Sequence, residues 1–188
     1  MHNQITFLIL AGGQGQRMNK LDKGLMHWKE KPMIEHVLGA IGAPKDKLII
    51  SANRNVDTYK QYASTVISDQ LDNFQGPLAG ILSAMQVCTT SHLLCLPCDS
   101  PNPPNNLLQQ LMQCMQAENR SDALCHDGER LQPLFSLLSC QHKILLNDFL
   151  QQGRRKVHDF MSLIKPAICD FSAQKSRFNN FNRPDDMQ

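Results

Sequence analysis

The sequence lacks an excess of charge of either sign. Its 188 residues include 19 lysines and arginines against 17 aspartates and glutamates, which gives a formal net charge of +2. A protein that binds DNA or RNA through phosphate contacts usually shows a clear and clustered basic excess. The near balance of charge therefore argues against a nucleic acid as the partner.

A long hydrophobic run is also missing. The first apolar run, Ile5–Leu10, is far shorter than the roughly 20 apolar residues of a membrane-spanning helix. Neither a positively charged segment nor a cleavage site accompanies this run. We therefore expect no secretory leader and no membrane contact, and we expect the protein to be cytoplasmic.

The cysteines show no metal-binding or disulfide pattern. There are seven, an odd number that favours reduced thiols in a protein without a leader. Cys95 and Cys98 have C-x-x-C spacing, but they end an apolar run, and no second Cys or His pair follows at zinc spacing. We predict that both are small buried apolar side chains.

Two well-known glycine-rich phosphate loops are absent as well. The P-loop pattern Gly-x-x-x-x-Gly-Lys-Ser/Thr does not occur anywhere in the chain. The segment Gly13-Gln14-Gly15 supplies two glycines of the dinucleotide fingerprint, but Met18 occupies the place of the third. A large side chain there would prevent close packing of helix on strand.

The loop that is present follows the predicted strand Ile5–Leu10. It contains three glycines in four residues, namely Gly12, Gly13 and Gly15. Glycine permits positive φ and close approach of a ligand, and successive N–H groups in such a loop can hold an anion. Arg17 and Lys23 follow and add two cations of different shape. This combination suits the triphosphate of a nucleotide.

Short apolar runs alternate with helical repeats along the rest of the chain. The predicted strands are Ile5–Leu10, Leu48–Asn53, Thr65–Asp69, Leu93–Asp99, Ala123–His126, Pro133–Leu138 and Ala167–Phe171. Helices are predicted at about residues 33–42, 56–63, 78–85, 107–115, 143–152 and 157–164. The alternation predicts an α/β fold in three layers, with a Rossmann-like, mostly parallel sheet covered by helices on both faces. We expect one domain, residues 1–188.

Four of the predicted strands end on residues suited to a nucleotide. These are Gly12, Asn53, Asp69 and Asp99. In parallel sheets, ligands bind outside the carboxyl ends of the strands, so these four residues are expected to face one crevice. Asn53 and Asp69 are also common turn residues, and Asp69 is a candidate helix cap, so a purely local role is the alternative for both.

Several short motifs together resemble those of the molybdenum cofactor guanylyltransferases, a nucleotidyltransferase family, and they run in the order seen in that family. They are Leu10-Ala11-Gly12-Gly13, Arg17-Met18, Asp22-Lys23-Gly24-Leu25, Lys31-Pro32, Ser51-Ala52-Asn53-Arg54, Gly76-Pro77-Leu78-Ala79-Gly80, Pro97-Cys98-Asp99-Ser100-Pro101, Asp127-Gly128-Glu129-Arg130 and Asn180-Phe181-Asn182-Arg183-Pro184. The resemblance covers nearly the whole chain and implies a nucleotidyltransferase. Such an enzyme transfers GMP from GTP to the phosphate of Mo-molybdopterin and forms molybdopterin guanine dinucleotide and diphosphate.

The resemblance also implies roles for individual residues. The expected GTP-binding residues are Leu10, Ala11, Gly12, Gly13, Gly15, Lys23, Asn53, Asp69 and Asp99. Arg17, Lys23 and Asp99 are expected to act in catalysis, with Asp99 as the ligand of Mg²⁺. The acceptor candidates are Arg155, Lys156, Asn180 and Asn182. Residues 1–100 would then bind the nucleotide and residues 101–188 the pterin acceptor, with transient contacts to cofactor-synthesis enzymes and acceptor apo-molybdoenzymes.

The chain departs from the family pattern in two places. Asn19 and Lys20 stand where the family usually has glycine, although asparagine tolerates the left-handed conformation. Arg155 is followed by Lys156, where relatives often have a second arginine, and lysine does not offer bidentate phosphate recognition. On composition alone, these basic residues are typical of a solvated helix end.

Two alternative functions remain at this point. One is the same chemistry on another substrate, either with CTP or with a sugar-phosphate acceptor. The other is a non-catalytic, nucleotide-binding partner in cofactor delivery, which the combination of Arg17, Lys23 and Asp99 disfavours.

Overall fold

A computed structural model of the chain describes residues 4–12, 22–68 and 76–181. Nine strands occur in these ranges: β1 (Ile5–Leu10), β2 (His27–Trp28), β3 (Lys31–Pro32), β4 (Leu48–Ser51), β5 (Thr65–Ile67), β6 (His92–Pro97), β7 (Ala123–His126), β8 (Leu131–Ser139) and β9 (Ala167–Asp170). Six α-helices accompany them: α1 (Met33–Ile41), α2 (Val56–Tyr59), α3 (Pro77–Val87), α4 (Leu107–Ala117), α5 (Lys143–Gln151) and α6 (Val157–Ile164). Short 3-10 segments lie at Lys23–Leu25, Lys45–Lys47, Cys140–His142 and Ser172–Phe178.

Seven strands form one sheet in the order β5-β4-β1-β6-β8-β7-β9, and β2 pairs with β3 in a separate hairpin. Strands β5, β4, β1 and β6 are parallel. Strand β8 is antiparallel to both β6 and β7, whereas β9 is parallel to β7. The sheet is therefore mostly parallel, and β8 is the reversed strand.

Helices cover both faces of the sheet. Along β1, the side chains of Ile5, Phe7 and Ile9 enter one buried cluster, which also contains residues of α1 and α4. Leu8 points to the opposite face, where a second cluster contains residues of α3, α5 and α6. Alternation along a strand buried on both faces produces these two cores. The predicted three-layer α/β fold is confirmed.

The cysteines agree with their predicted role. Cys95 and Cys98 are buried in different clusters, on opposite faces of the sheet, because they are three positions apart, an odd number, along an extended segment. All seven cysteines are free thiols. Across residues 4–12, 22–68 and 76–181, no group of three or more His, Cys, Asp or Glu side chains is arranged to hold a metal ion.

Most differences from the sequence prediction occur at element ends. The helix predicted at 56–63 stops at Tyr59, because residues 60–62 continue in turns with bonds such as Gln61 N–H to the Thr58 carbonyl. The loop predicted after Phe171 instead forms the 3-10 segment Ser172–Phe178, anchored by the buried ring of Phe178 against Phe135. Pro184-Asp185-Asp186 is typical of a helix start, but it lies outside the described residues. None of the described helices combines the length and apolar character needed to cross a bilayer.

A tight turn joins β7 and β8 at the sheet edge where β6 ends. Oδ1 of Asp127 accepts hydrogen bonds from the backbone N–H groups of Glu129 and Arg130, both at 2.8 Å, and Oδ2 accepts one from Gln132 at 2.6 Å. Burial raises the pKa of Asp127, but these donors and the charge of Arg130 outweigh it and lower the pKa from 3.8 to about 2. The charged carboxylate therefore stabilises the turn.

We predict that Asp127→Asn lowers the free energy of unfolding at pH 7 by about 1–3 kcal/mol, because hydrogen bonds to a charged acceptor are lost. The depressed pKa places this contribution above pH 4, and it is lost as the pH falls towards 2. Urea unfolding between pH 7 and pH 3 measures the difference, which should shrink below pH 4. The exposed Asp148→Asn is the control, and a constant difference across this range would contradict the prediction.

Candidate active site

The carboxyl ends of four parallel strands lie side by side. Leu10 of β1 is in register with Ser51 of β4 and with Pro97 of β6, and Ser51 is in register with Ile67 of β5. These residues form one row at the edge of the sheet. The loops that follow each strand therefore begin next to one another, which is the arrangement that creates a binding crevice in such sheets.

Three predicted site residues follow this row at the same distance along the chain. Gly12, Asn53 and Asp99 each lie two residues beyond the row members of their strands. A Cβ atom placed on Gly12 would lie 3.4 Å from Nδ2 of Asn53, so Gly12 and the Asn53 amide are neighbours. The structure thus brings the end of β1 and the end of β4 together in the predicted crevice.

The main chain of Leu10, Ala11 and Gly12 is held in place from both sides. The N–H of Ala11 donates to the carbonyl of Ser51 at 2.8 Å, and the N–H of Cys98 donates to the carbonyl of Leu10 at 3.1 Å. Ala11 and Gly12 are partly exposed at the end of this ladder. They therefore present a fixed and accessible backbone at the start of the glycine-rich loop.

A salt bridge joins the two predicted catalytic residues that the structure describes. Nζ of Lys23 lies 2.9 Å from Oδ2 of Asp99, and the two side chains are 29% and 16% exposed. Lys23 is the first residue of the 3-10 segment Lys23–Leu25, and Asp99 follows β6. Beneath them Cys98 is buried, and burial together with the charge of Asp99 raises the pKa of its thiol, so Cys98 is a neutral side chain.

The segment at Asn179–Phe181 is attached to the Asp99 loop. The N–H of Phe181 donates to the carbonyl of Asp99 at 2.9 Å, and the hydroxyl of Ser100 donates to Oδ1 of Asn180 at 2.5 Å. The Phe181 ring packs on Trp28 with ring centres 5.3 Å apart. The acceptor candidate Asn180 is therefore held against the loop that carries Asp99.

The basic acceptor candidates lie in the loop between α5 and α6. Gly153 adopts φ +78° and caps the end of α5, since its N–H donates to the carbonyl of Leu150 and that of Arg154 donates to the carbonyl of Phe149. Arg155 donates from Nη1 to the carbonyl of Leu150 at 2.5 Å, which ties its guanidinium to the end of α5. Lys156 is exposed. Because β8 ends beside the start of β6, α5 runs back towards the crevice side of the sheet, and this loop follows it.

Five of the predicted site residues lie outside the described residues. They are Gly13, Gly15, Arg17, Asp69 and Asn182. The two departures from the family pattern at Asn19 and Lys20 lie in the same undescribed segment as Arg17. Their predicted roles stay predictions.

The contacts that support Lys23 were not predicted from the sequence. Asp22 precedes Lys23 and accepts hydrogen bonds from the hydroxyl of Tyr59 and the side-chain amide of Asn55. The packing of Phe181 on Trp28 was not predicted either. Both contacts join segments far apart in the chain, and no local pattern signals them. Asn55, directly before α2, is the single sequence feature that points to these contacts, because asparagine adopts the left-handed backbone more readily than most residues.

Asp99 provides part of the ligand set that a magnesium site needs. Mg²⁺ is usually bound by one or two carboxylates together with phosphate oxygens and water, not by a complete protein cage. Asp99 offers one partly exposed carboxylate at the crevice, beside the cation of Lys23. A single carboxylate of this kind fits Mg²⁺ bound together with a nucleotide.

Comparison with known proteins identifies the family. Residues 7–165 match the MobA-like NTP transferase domain. The chain is 43% identical to the molybdenum cofactor guanylyltransferase of Mannheimia succiniciproducens, over 97% of this chain and 96% of that protein. It is 41% identical to the molybdenum cofactor guanylyltransferase of Histophilus somni, over 100% of this chain and 96% of that protein.

Solved structures share the fold at low sequence identity. The molybdopterin-guanine dinucleotide biosynthesis protein A of Archaeoglobus fulgidus superposes with a TM-score of 0.72 at 20% identity, covering 97% of this chain and 94% of that chain. The 4-diphosphocytidyl-2C-methyl-D-erythritol synthase of Anaerococcus prevotii gives a TM-score of 0.71 at 9% identity, covering 97% and 92%. From the match over residues 7–165 and the full-length relatives, the chain belongs to the MobA-like NTP transferase family.

Proposed function

We propose that the protein is an enzyme that transfers GMP from GTP to the phosphate of Mo-molybdopterin, forming molybdopterin guanine dinucleotide and diphosphate. The observation that carries the proposal is the full-length similarity to relatives named molybdenum cofactor guanylyltransferase. The site geometry supports it, because a cation and a carboxylate meet at the crevice where a nucleotide would bind. We further propose that the protein works in the cytoplasm.

The chemistry requires charge neutralisation more than acid–base catalysis. A phosphate oxygen of the acceptor attacks the α-phosphorus of GTP and forms a new P–O bond, while the bond from the α-phosphorus to the bridging oxygen breaks and diphosphate leaves. The nucleophile is already an anion, so no strong base is needed. Two anions must be brought together, so the protein acts mainly by positioning and electrostatic stabilisation.

The described residues near the proposed nucleotide site can supply this positioning and electrostatic stabilisation. Lys23 would neutralise the phosphates near the reacting phosphorus, and Asp99 would hold Mg²⁺, which supplies further positive charge to the phosphates. Leu10, Ala11 and Gly12 would line the nucleotide through their fixed main chain. We extend the proposal to Gly13, Gly15 and Arg17 at the phosphates and to Asn53 and Asp69 at the guanosine.

The acceptor side would be built from the second half of the chain. Asn180 accepts a hydrogen bond from Ser100, the residue after Asp99, and this supports the proposal that it would contact the incoming phosphate near the metal. Lys156, exposed in the α5–α6 loop, is the candidate for electrostatic capture of that phosphate, with Asn182 further along the chain. The guanidinium of Arg155 is engaged with α5, so its proposed role is to shape this loop. Residues 1–100 and 101–188 would thus serve the two substrates.

A second substrate specificity is the main alternative. The fold is shared with a cytidylyl-type synthase, so the architecture alone fits CTP as well as GTP. The identity to guanylyltransferases favours GTP. Incubating the protein with Mg²⁺, molybdopterin and each nucleoside triphosphate in turn, while diphosphate is measured, tests the proposal. Diphosphate release with GTP and with no other triphosphate supports the proposal, and release with CTP indicates the alternative. No release with any triphosphate would favour a non-catalytic role in cofactor delivery.

We predict that Lys23→Ala lowers the turnover number by about 10²–10³, comparable to the loss of one preorganised donor at a developing charge. Diphosphate release under saturating substrates measures the effect. The control is Lys45→Ala, which removes an exposed positive charge at the opposite edge of the sheet, before β4. Turnover of Lys23→Ala close to that of the control would remove Lys23 from the mechanism.

We predict that Asp99→Asn raises the Mg²⁺ concentration needed for half-maximal activity by about tenfold or more, because the amide is a weaker ligand for a hard cation. The measurement is a Mg²⁺ titration of diphosphate release at fixed GTP. The control is Asp148→Asn on the exposed face of α5. An unchanged titration for Asp99→Asn would place the metal elsewhere.

We predict that Lys156→Ala weakens molybdopterin binding by about 3- to 10-fold and leaves GTP binding unchanged, since a partly screened charge contact is lost. Titrations with each substrate separately measure the two affinities. Lys143→Ala, at the other end of the α5–α6 pair, is the matched control. Weaker GTP binding with normal molybdopterin binding would show that the two halves are assigned the wrong way round.

A further inference from the structure

We propose that Asp22, held by Tyr59 and Asn55, is a positioning residue that fixes the direction of Lys23 in the crevice. The kinetic part of this inference rests on the proposed guanylyl transfer, whereas its structural part does not. None of the three residues needs to touch a substrate. They would act through the turn on which Lys23 stands.

Asp22 is the residue that begins this turn. It is the cap of the 3-10 segment Lys23–Leu25, and its Oδ1 accepts a hydrogen bond from the N–H of Gly24 at 3.2 Å. Capping of this kind fixes the first turn of a helical segment. The backbone that carries the Lys23 side chain is therefore oriented by the carboxylate of the residue before it.

The carboxylate of Asp22 is in turn held by two residues at opposite ends of α2: Asn55, which precedes the helix, and Tyr59, its last residue. The hydroxyl of Tyr59 donates to Oδ1 at 2.5 Å, and Nδ2 of Asn55 donates to Oδ2 at 3.0 Å. Tyr59 is completely buried, and burial raises the pKa of its phenol, so the hydroxyl keeps the proton that it donates. The Asp22 carboxylate thus has a donor on each oxygen from a segment more than 30 residues away in the sequence.

Two backbone features are adapted to these contacts. A Cβ atom on Gly24 would lie 2.4 Å from the Tyr59 hydroxyl, so a glycine is required for that hydroxyl to reach beneath the turn. Asn55 adopts a left-handed backbone with φ +51°, a conformation that costs most residues free energy and that asparagine tolerates. Each feature allows a hydrogen-bond donor to reach the Asp22 carboxylate. We infer that the position of this carboxylate is important.

A fixed turn limits the positions that the long, flexible side chain of Lys23 can reach. A lysine loses substantial rotamer entropy when it is confined, so a mobile backbone beneath it would spread the ammonium over many positions. With the turn fixed, Nζ reaches Oδ2 of Asp99 at 2.9 Å. A preorganised cation stabilises developing charge without reorganisation during the reaction, and small displacements of such groups are costly.

The first experiment compares Tyr59→Phe with Tyr62→Phe. Both remove one hydroxyl from a tyrosine–carboxylate pair in the same segment, but Tyr62 donates to Glu35 and not to Asp22. We expect Tyr59→Phe to lower kcat about tenfold, with the KM for GTP and for molybdopterin within about twofold of the parent values. Tyr62→Phe should leave both parameters unchanged. Assays are made at a temperature where circular dichroism shows every variant to be folded.

A double-mutant cycle separates positioning from a general structural effect. If Tyr59 acts through Lys23, then Tyr59→Phe in the Lys23→Ala background should change kcat by less than about twofold. A purely structural role would instead multiply the two losses, and this outcome would overturn the proposal. Asn55→Gly provides a second variant that keeps the positive φ accessible and removes the donor to Oδ2, and it tests the same point if Tyr59→Phe does not fold.

Hydrogen exchange tests the structural part without any activity. In the substrate-free protein, Tyr59→Phe and Asn55→Gly should each speed exchange at Gly24–Met26, measured by mass spectrometry or by amide NMR, whereas Tyr62→Phe should not. Unchanged exchange in both variants would overturn the positioning. An inactive parent protein would overturn the proposed function instead, and the exchange result would then decide the role of Asp22 alone.

Discussion

The salt bridge between Lys23 and Asp99 is the interaction around which the crevice is arranged. It joins two segments that are 76 residues apart in the sequence and that meet only because β1 and β6 are neighbours in the sheet. Both charges remain partly exposed, so each can exchange its partner for a phosphate or a metal ion. The pair is better understood as a preorganised charge system than as a source of stability, since exposed ion pairs contribute little to folding.

The two charges are supported from different directions. Asp22, Tyr59 and Asn55 fix the turn below Lys23, whereas the backbone of Phe181 is attached to the carbonyl of Asp99. The proposed nucleotide side and the proposed acceptor side of the crevice would therefore share a boundary at this pair. In the proposed reaction, one phosphate would approach another at this boundary.

The sequence was sufficient for the architecture and for part of the site. Alternating apolar runs predicted the sheet and both helical layers, and the rule that ligands bind at strand ends placed Gly12, Asn53 and Asp99 in one crevice. Element ends were less accurate, because bonding in the turn after Tyr59 and the packing of Phe178 on Phe135 depend on tertiary contacts. The support of Lys23 by Tyr59 could not be predicted, since a buried tyrosine in a short helix has the same local pattern whether or not it binds a carboxylate. The inward turn of Arg155 onto α5 was likewise invisible, because charge spacing alone does not give side-chain direction.

The reversal of β8 divides the rim of the crevice into two kinds of structure. The strands β4 and β6 are each followed by a segment that leads into a helix. On the other side of β6 lies the tight turn between β7 and β8, in which the Asp127 carboxylate accepts hydrogen bonds from the backbone N–H groups of Glu129 and Arg130. An added residue in the hairpin would break that bonding. The loops after β4 and β6 can lengthen without disturbing the sheet, provided that the insertion lies beyond Asn55 and Ser100, which bond to Asp22 and Asn180. New substrate specificities in this fold are therefore expected to evolve through changes in the length of the loops after β4 and β6, whereas the β7–β8 turn keeps a fixed length.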